Sequence, residues 1–179
     1  EVVLVIGTRE DAPALQRARE LGVPTCVVDP KALPDDEAYG EALLRALREV
    51  QPDLICLAGY IRLLPANVVR AYPYRILNIH PALLPLFGGK GMYGLRVHEA
   101  VIESGMKVTG CTVHFVDEQY DTGPIVLQSV IEVRDEDTPE TLAARLLPVE
   151  HATYIRAIRL FVEGRLKVKG RRVLIQEEA

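Results

Sequence analysis

Through the first eighty residues, short apolar runs alternate with segments whose apolar residues recur at helical spacing. The runs are Val2–Ile6, Val23–Val28, Leu54–Ala58 and Arg75–Ile79. Each is continuous rather than alternating, as expected of strands covered on both faces. Between the first two, Leu15, Ala18 and Leu21 share a helical face, with Asp11 placed to cap and Gly22 to stop the helix. Pro30 and Pro34 bracket a loop, after which Asp35 can start a helix carrying Tyr39, Leu43, Leu47 and Val50. A short helix follows Pro65. Strand, helix, strand in repetition predicts βαβ units around a parallel sheet.

The pattern changes after residue 80. Residues 81–94 are rich in Pro and Gly and long for a structureless connection, which predicts a working loop or lid over 86–94. A helix is expected near 95–104, ended by Gly105. Two longer strand-like runs, 107–116 and 124–133, flank the loop Asp117-Glu118-Gln119-Tyr120-Asp121-Thr122-Gly123. Thr138-Pro139-Glu140 is a helix start. Pro148 is expected to kink or interrupt that helix. Gly164 should end it before a hairpin turning at Lys169-Gly170. The predicted fold is α/β: a Rossmann-like, mostly parallel twisted sheet with helices on both faces and antiparallel strands toward the C-terminus. Its domains are a main body over 1–163 and a hairpin extension over 164–179.

Composition narrows the function classes. Against 25 acidic residues stand 21 Lys and Arg, a net charge of −4, which argues against a nucleic-acid binder working through bulk charge. No run approaches the length of a membrane helix, so no membrane partner is expected. Cys26, Cys56 and Cys111 are odd in number and set in apolar runs, the pattern of reduced, buried thiols in a cytoplasmic protein. His80, His98, His114 and His151 are not at zinc spacing, so no metal is expected. Gly88-Gly89-Lys90-Gly91 is not a phosphate-binding loop motif, and no further glycine completes a fingerprint after Gly7-Thr8. Arg165, Lys167 and Lys169 on one face of the last hairpin read as protective charge on an edge strand.

The densest chemical signal is Asn78-Ile79-His80-Pro81 at the end of a predicted parallel strand, where ligands bind in open α/β sheets. Residues two apart in a strand point the same way, so the amide and the imidazole project together. Such a pair suits oxyanion stabilisation and proton transfer. The competing reading is an Asn satisfying loop backbone and a His packed at a strand end. A carboxylate from the 117–121 loop, folded against His80, is expected to raise its pKa and hold an imidazolium; the alternative is a solvated acidic turn. His114 shares a face with Thr112 and Val116 and reads as a hydrogen-bonded core histidine.

Taken together, NIHPALLPLFGGKG, GCTVHFVDEQYDTGPIVLQ and VEHATY resemble the phosphoribosylglycinamide formyltransferases, across nearly the whole chain. The resemblance implies formyl transfer from 10-formyltetrahydrofolate, a co-substrate, to the amine of glycinamide ribonucleotide in purine biosynthesis. It assigns catalysis to Asn78, His80 and Asp121, with Asp121 rather than Asp117 as the catalytic aspartate. Folate contacts fall on Ile61, Arg62, Leu63, Leu64 and Val69, on Asn78, and on the loop Asp117, Glu118, Gln119, Tyr120 and Asp121. Glu150 takes the ribonucleotide contact. Monomer and homodimer both fit.

Two departures stand out. The opening strand resembles the family's second, so a first strand, phosphate loop and first helix are expected upstream of Glu1. Asp36 occupies a position where some members carry an arginine for the formyl donor. The rival readings are a formyltetrahydrofolate hydrolase, in which a second histidine usually stands where this chain has Pro81, and a folate- or nucleotide-binding module without catalysis.

Overall fold

The computed structural model describes residues 1–177. The chain forms two compact units: residues 1–55 with 64–75, and residues 56–63 with the chain from 76 onward.

In the first unit β1 (Val5–Gly7) and β2 (Thr25–Val27) pair in parallel, Val5 opposite Thr25 and Gly7 opposite Val27. The connecting helix α1 (Pro13–Glu20) buries Leu15 and Ala18. Gly7 permits this, because a β-carbon there would lie 2.7 Å from the Leu15 side chain. Asp11 does not cap α1: the N-cap is Ala12, without a side-chain bond, and Asp11 pairs with Arg9 instead. Pro13, with φ preset and no N–H to satisfy, starts the helix unaided. Asp35 does cap α2 (Asp36–Val50), accepting from the Ala38 N–H at 2.8 Å. Helix α3 (Ala66–Ala71) approaches α2 at Gly40, where a β-carbon would collide with the Asn67 carboxamide. Asn67 uses that space to donate to the Glu37 carbonyl at 3.2 Å.

The second unit is built on a six-stranded sheet. Its strands are β3 (Ile55–Leu57), whose last two residues belong to this unit, β4 (Ile76–His80), β5 (Val108–Phe115), β6 (Ile125–Glu132), β7 (Leu166–Lys169) and β8 (Arg172–Ile175). The order across the sheet is β3-β4-β5-β6-β8-β7. β4 to β5 and β5 to β6 are antiparallel, β8 joins β6 in parallel at Ile125 opposite Arg172, and β7–β8 is the expected hairpin. Of the expected extension 164–179, residues 178 and 179 lie outside the described residues. The architecture is α/β, with parallel pairing early in the chain and antiparallel pairing toward its C-terminus.

Helices α4 (Leu95–Glu103) and α5 (Pro139–Val162) complete the unit. Thr138 and Thr141 cap α5 reciprocally. Pro148 does not interrupt it. Buried Leu142 and Leu146 before the proline, and Thr153, Ala157 and Leu160 after it, anchor both halves to the same core. That burial outweighs the one backbone bond a proline removes. The Tyr154 hydroxyl lies 2.9 Å from the carbonyls of both Leu57 and Leu77, tying α5 to adjacent strands. β5 and β6 approach closely at Gly110, where a β-carbon would sit 1.9 Å from the Ser129 carbonyl oxygen. Gly110→Ala is therefore expected to destabilise the fold by about 2–3 kcal/mol, read as a lowered urea midpoint.

Candidate active site

Sheet register assembles the site. Asn78 lies opposite His114 and His80 opposite Thr112, so these four side chains project from one face of β4 and β5. The loop between β5 and β6 brings Asp121 to that face. Asp121 Oδ2 is 3.6 Å from His80 Nδ1, and Oδ1 is 3.6 Å from His114 Nε2. The side chains of His80, His114 and Asp121 are 5%, 2% and 11% exposed. His114 Nδ1–H donates to the Phe115 carbonyl at 2.9 Å, leaving Nε2 to accept from the Asn78 amide at 3.2 Å.

The segment after β4 closes over this group with backbone atoms. His80 Nε2–H donates to the Phe87 carbonyl at 2.7 Å, and the Gly89 N–H donates to Asp121 Oδ2 at 2.9 Å. A β-carbon on Gly88 would lie 2.6 Å from the Leu84 side chain and 3.2 Å from Asp121 Cβ. Asp121 itself holds the left-handed backbone, φ 54°. That conformation turns its carboxylate back toward the sheet.

Burial pushes the His80 imidazole below its ordinary value, and the opposing pull of Asp121 and the Phe87 carbonyl does not offset it. The expectation that the carboxylate holds His80 as an imidazolium is thus corrected: desolvation of a nearly enclosed ring is the larger effect. For Asp121 the balance is reversed. Burial disfavours its charge, but the His114 and His80 rings and the Gly89 N–H win and keep the carboxyl below the usual range. His98, buried on α4 with no hydrogen-bond partner for Nδ1, is also pushed down by burial and by His80.

His80 and His98 both bind their proton less readily folded than unfolded. Their stabilising contribution is whole above the ordinary imidazole value of 6.5 and is lost as pH falls through the depressed folded-state values. The urea midpoint is expected to drop between pH 7.5 and 5.5, and to drop less in His80→Gln.

The remaining expected site residues divide. Ile61, Arg62 and Leu63 lie in the second unit on the loop after β3, with Ile61 and Leu63 exposed. Leu64 and Val69 are buried in the first unit. Asp117 shapes its own loop, accepting from the Gln119 N–H at 3.0 Å and the Thr122 hydroxyl at 2.7 Å. Glu118 and Gln119 are exposed and Tyr120 half-buried. Glu150 is a half-buried carboxyl on α5, raised by burial. It acts on Cys111, whose side chain projects from the opposite face of β5 to Thr112 and His114. Of the three cysteines expected to be buried only Cys111 is; Cys26 is half-buried and Cys56 exposed, their short strands being incompletely covered. His114 is the buried, hydrogen-bonded histidine the sequence predicts, and what strand parity alone does not show is the β4–β5 register that sets it opposite Asn78. Among the described residues no group of three or more His, Cys, Asp or Glu could hold a metal ion, and no helix is long and apolar enough to cross a membrane.

The formyl transferase family profile matches residues 1–158. The chain belongs to that family. It is 47% identical over 169 residues to a chloroplastic phosphoribosylglycinamide formyltransferase of Arabidopsis thaliana, covering 93% of this chain and 58% of the relative. The chain thus spans little more than half of that relative's length. The structure of glycinamide ribonucleotide transformylase 1 from Symbiobacterium toebii superposes with a TM-score of 0.92 at 48% identity, covering 99% of this chain and 81% of the other. A formyltetrahydrofolate deformylase from Pseudomonas syringae pv. tomato shares the fold at TM-score 0.87 and 28% identity, covering 99% of this chain and 57% of its own.

Proposed function

We propose that the chain transfers the formyl group of 10-formyltetrahydrofolate to the amine of glycinamide ribonucleotide. The observation that carries this reading is the enclosed group in which Asp121 stands 3.6 Å from His80, with Asn78 on the same face, inside a formyl transferase fold. The substrate supplies the nucleophile, a neutral primary amine, so the protein needs no covalent intermediate. As the amine adds to the formyl carbon, charge develops on oxygen. His80 Nε2–H, now held by a neutral carbonyl, would transfer its hydrogen bond to that oxyanion, the stronger acceptor. The Asn78 amide would join it.

Burial and charge then act in sequence. A neutral His80 suits the ground state, and the negative oxygen would raise its proton affinity as the transition state forms. The proton lost by the attacking amine would pass to His80 Nδ1, the nitrogen that faces Asp121, and from there to N10 as the C–N bond breaks and tetrahydrofolate leaves; Asp121, already ionised, would stabilise the imidazolium in between. Holding two reactants together supplies much of the remaining rate. The exposed Ile61 and Leu63, with Arg62 and the loop Asp117–Tyr120, are assigned to the folate, and Glu150 to the ribonucleotide. Leu64 and Val69 enter the reading through the family resemblance alone. A cytoplasmic location is part of the reading, in keeping with three unbridged cysteines.

The rival is hydrolysis of the same donor, and the deformylase at 28% identity is more distant than the transferases at 47–48%. Release of tetrahydrofolate with and without glycinamide ribonucleotide separates them: release that requires the amine supports transfer, and amine-independent release supports the hydrolase. His80→Ala and Asp121→Asn are each expected to lower kcat by about 100- to 1000-fold while changing the donor KM less than about threefold. Wild-type turnover in either variant rejects the assignment.

A further inference from the structure

We infer that Thr112 and Gln128 are positioning residues, which together set the segment after β4 so that its backbone meets His80 and Asp121. The hydrogen bonds that carry this role go to the segment after β4 and between the two side chains. Thr112 is fully buried on β5, in the row where His80, Thr112 and Gln128 stand opposite one another across β4, β5 and β6. Its hydroxyl donates to the Ala82 carbonyl at 2.7 Å and accepts from the Leu84 N–H and from Gln128 Nε2, each at 3.0 Å. One donor and two acceptors are the whole capacity of a hydroxyl, and all three are used. Gln128 Nε2 also donates to the Leu84 carbonyl at 3.0 Å.

Leu84 is therefore held at both its N–H and its carbonyl by side chains of two other strands. Its own side chain is buried and lies where a β-carbon on Gly88 would go, and Gly88 abuts Asp121 Cβ. Phe87, three residues on, carries the carbonyl that receives His80 Nε2–H, and Gly89 carries the N–H that meets Asp121. A displacement at Leu84 consequently reaches both partners of the site at once. A merely structural role predicts lost stability with unchanged turnover per folded molecule. Positioning predicts lost turnover, because small misplacements of reacting groups are costly.

For its activity readout the inference rests on the formyl-transfer reading; a second readout does not. The full chain is compared with Thr112→Val, Thr112→Ser and Gln128→Met for kcat, for donor KM, and for the titration of the His80 ring by NMR without substrates. Thr112→Val is expected to lower kcat by about 10- to 100-fold with KM within about threefold, and Thr112→Ser, which keeps the hydroxyl, to stay near wild type. The His80 titration should move upward in Thr112→Val and Gln128→Met, as a loosened segment readmits water to the ring. Unchanged kcat and unchanged titration in both overturn the inference, as does a Thr112→Ser loss equal to that of Thr112→Val. If Thr112→Val does not fold, Gln128→Met, at an exposed position, decides by the same two readouts. If the unaltered chain shows no amine-dependent release, the transfer reading fails. The titration then decides positioning alone: a shift supports it and a wild-type curve overturns it.

Discussion

A nearly enclosed carboxylate is the constraint around which the second unit is organised. Two imidazoles shield Asp121 from bulk water and the Gly89 N–H donates to its Oδ2. Each neighbour imposes a requirement elsewhere. The imidazoles must share a face of adjacent strands, which fixes the β4–β5 register. The N–H must come from a segment able to pass close to the Asp121 Cβ, which requires Gly88 to have no side chain. Asp121 must adopt a left-handed backbone, which shapes the turn between β5 and β6.

The same enclosure separates the two functions a histidine can serve. An exposed His80 beside a carboxylate would sit charged at neutral pH. Buried, it is held neutral, with both ring nitrogens still facing oxygen atoms. Positive charge would form on the ring, in the proposed reaction, only as a negative oxygen appears, in a site closed to the water that would screen it. In the proposed reaction, the differential between resting and developing charge is the catalytic effect.

Much of this organisation is legible in the residues. Strand and helix alternation, the Asp35 cap, the Thr138 start and the hairpin at Gly170 follow from local rules, and the structure agrees with them. Parity along β4 places Asn78 and His80 together, and parity along β5 places His114 with Thr112; the register that sets the two pairs side by side is written in neither strand alone. The misreadings have physical causes. Asp11 was a competent cap, but Pro13 made one unnecessary. Pro148 breaks helices locally, but its helix is anchored on both sides. The sign of the His80 shift depends on how completely the ring is covered, which is a property of packing. The Phe87 carbonyl and the Gly89 N–H have no signature at all, because every non-proline residue carries the same two backbone groups.

The Tyr154 hydroxyl, set between the Leu57 and Leu77 carbonyls, has a mechanical consequence. Leu77 immediately precedes Asn78, so the long C-terminal helix grips β4 one residue before that amide. Coupling of this kind makes the helix a strut: a force that tilts α5 is delivered to the end of β4 that carries Asn78 and His80 without passing through any loop.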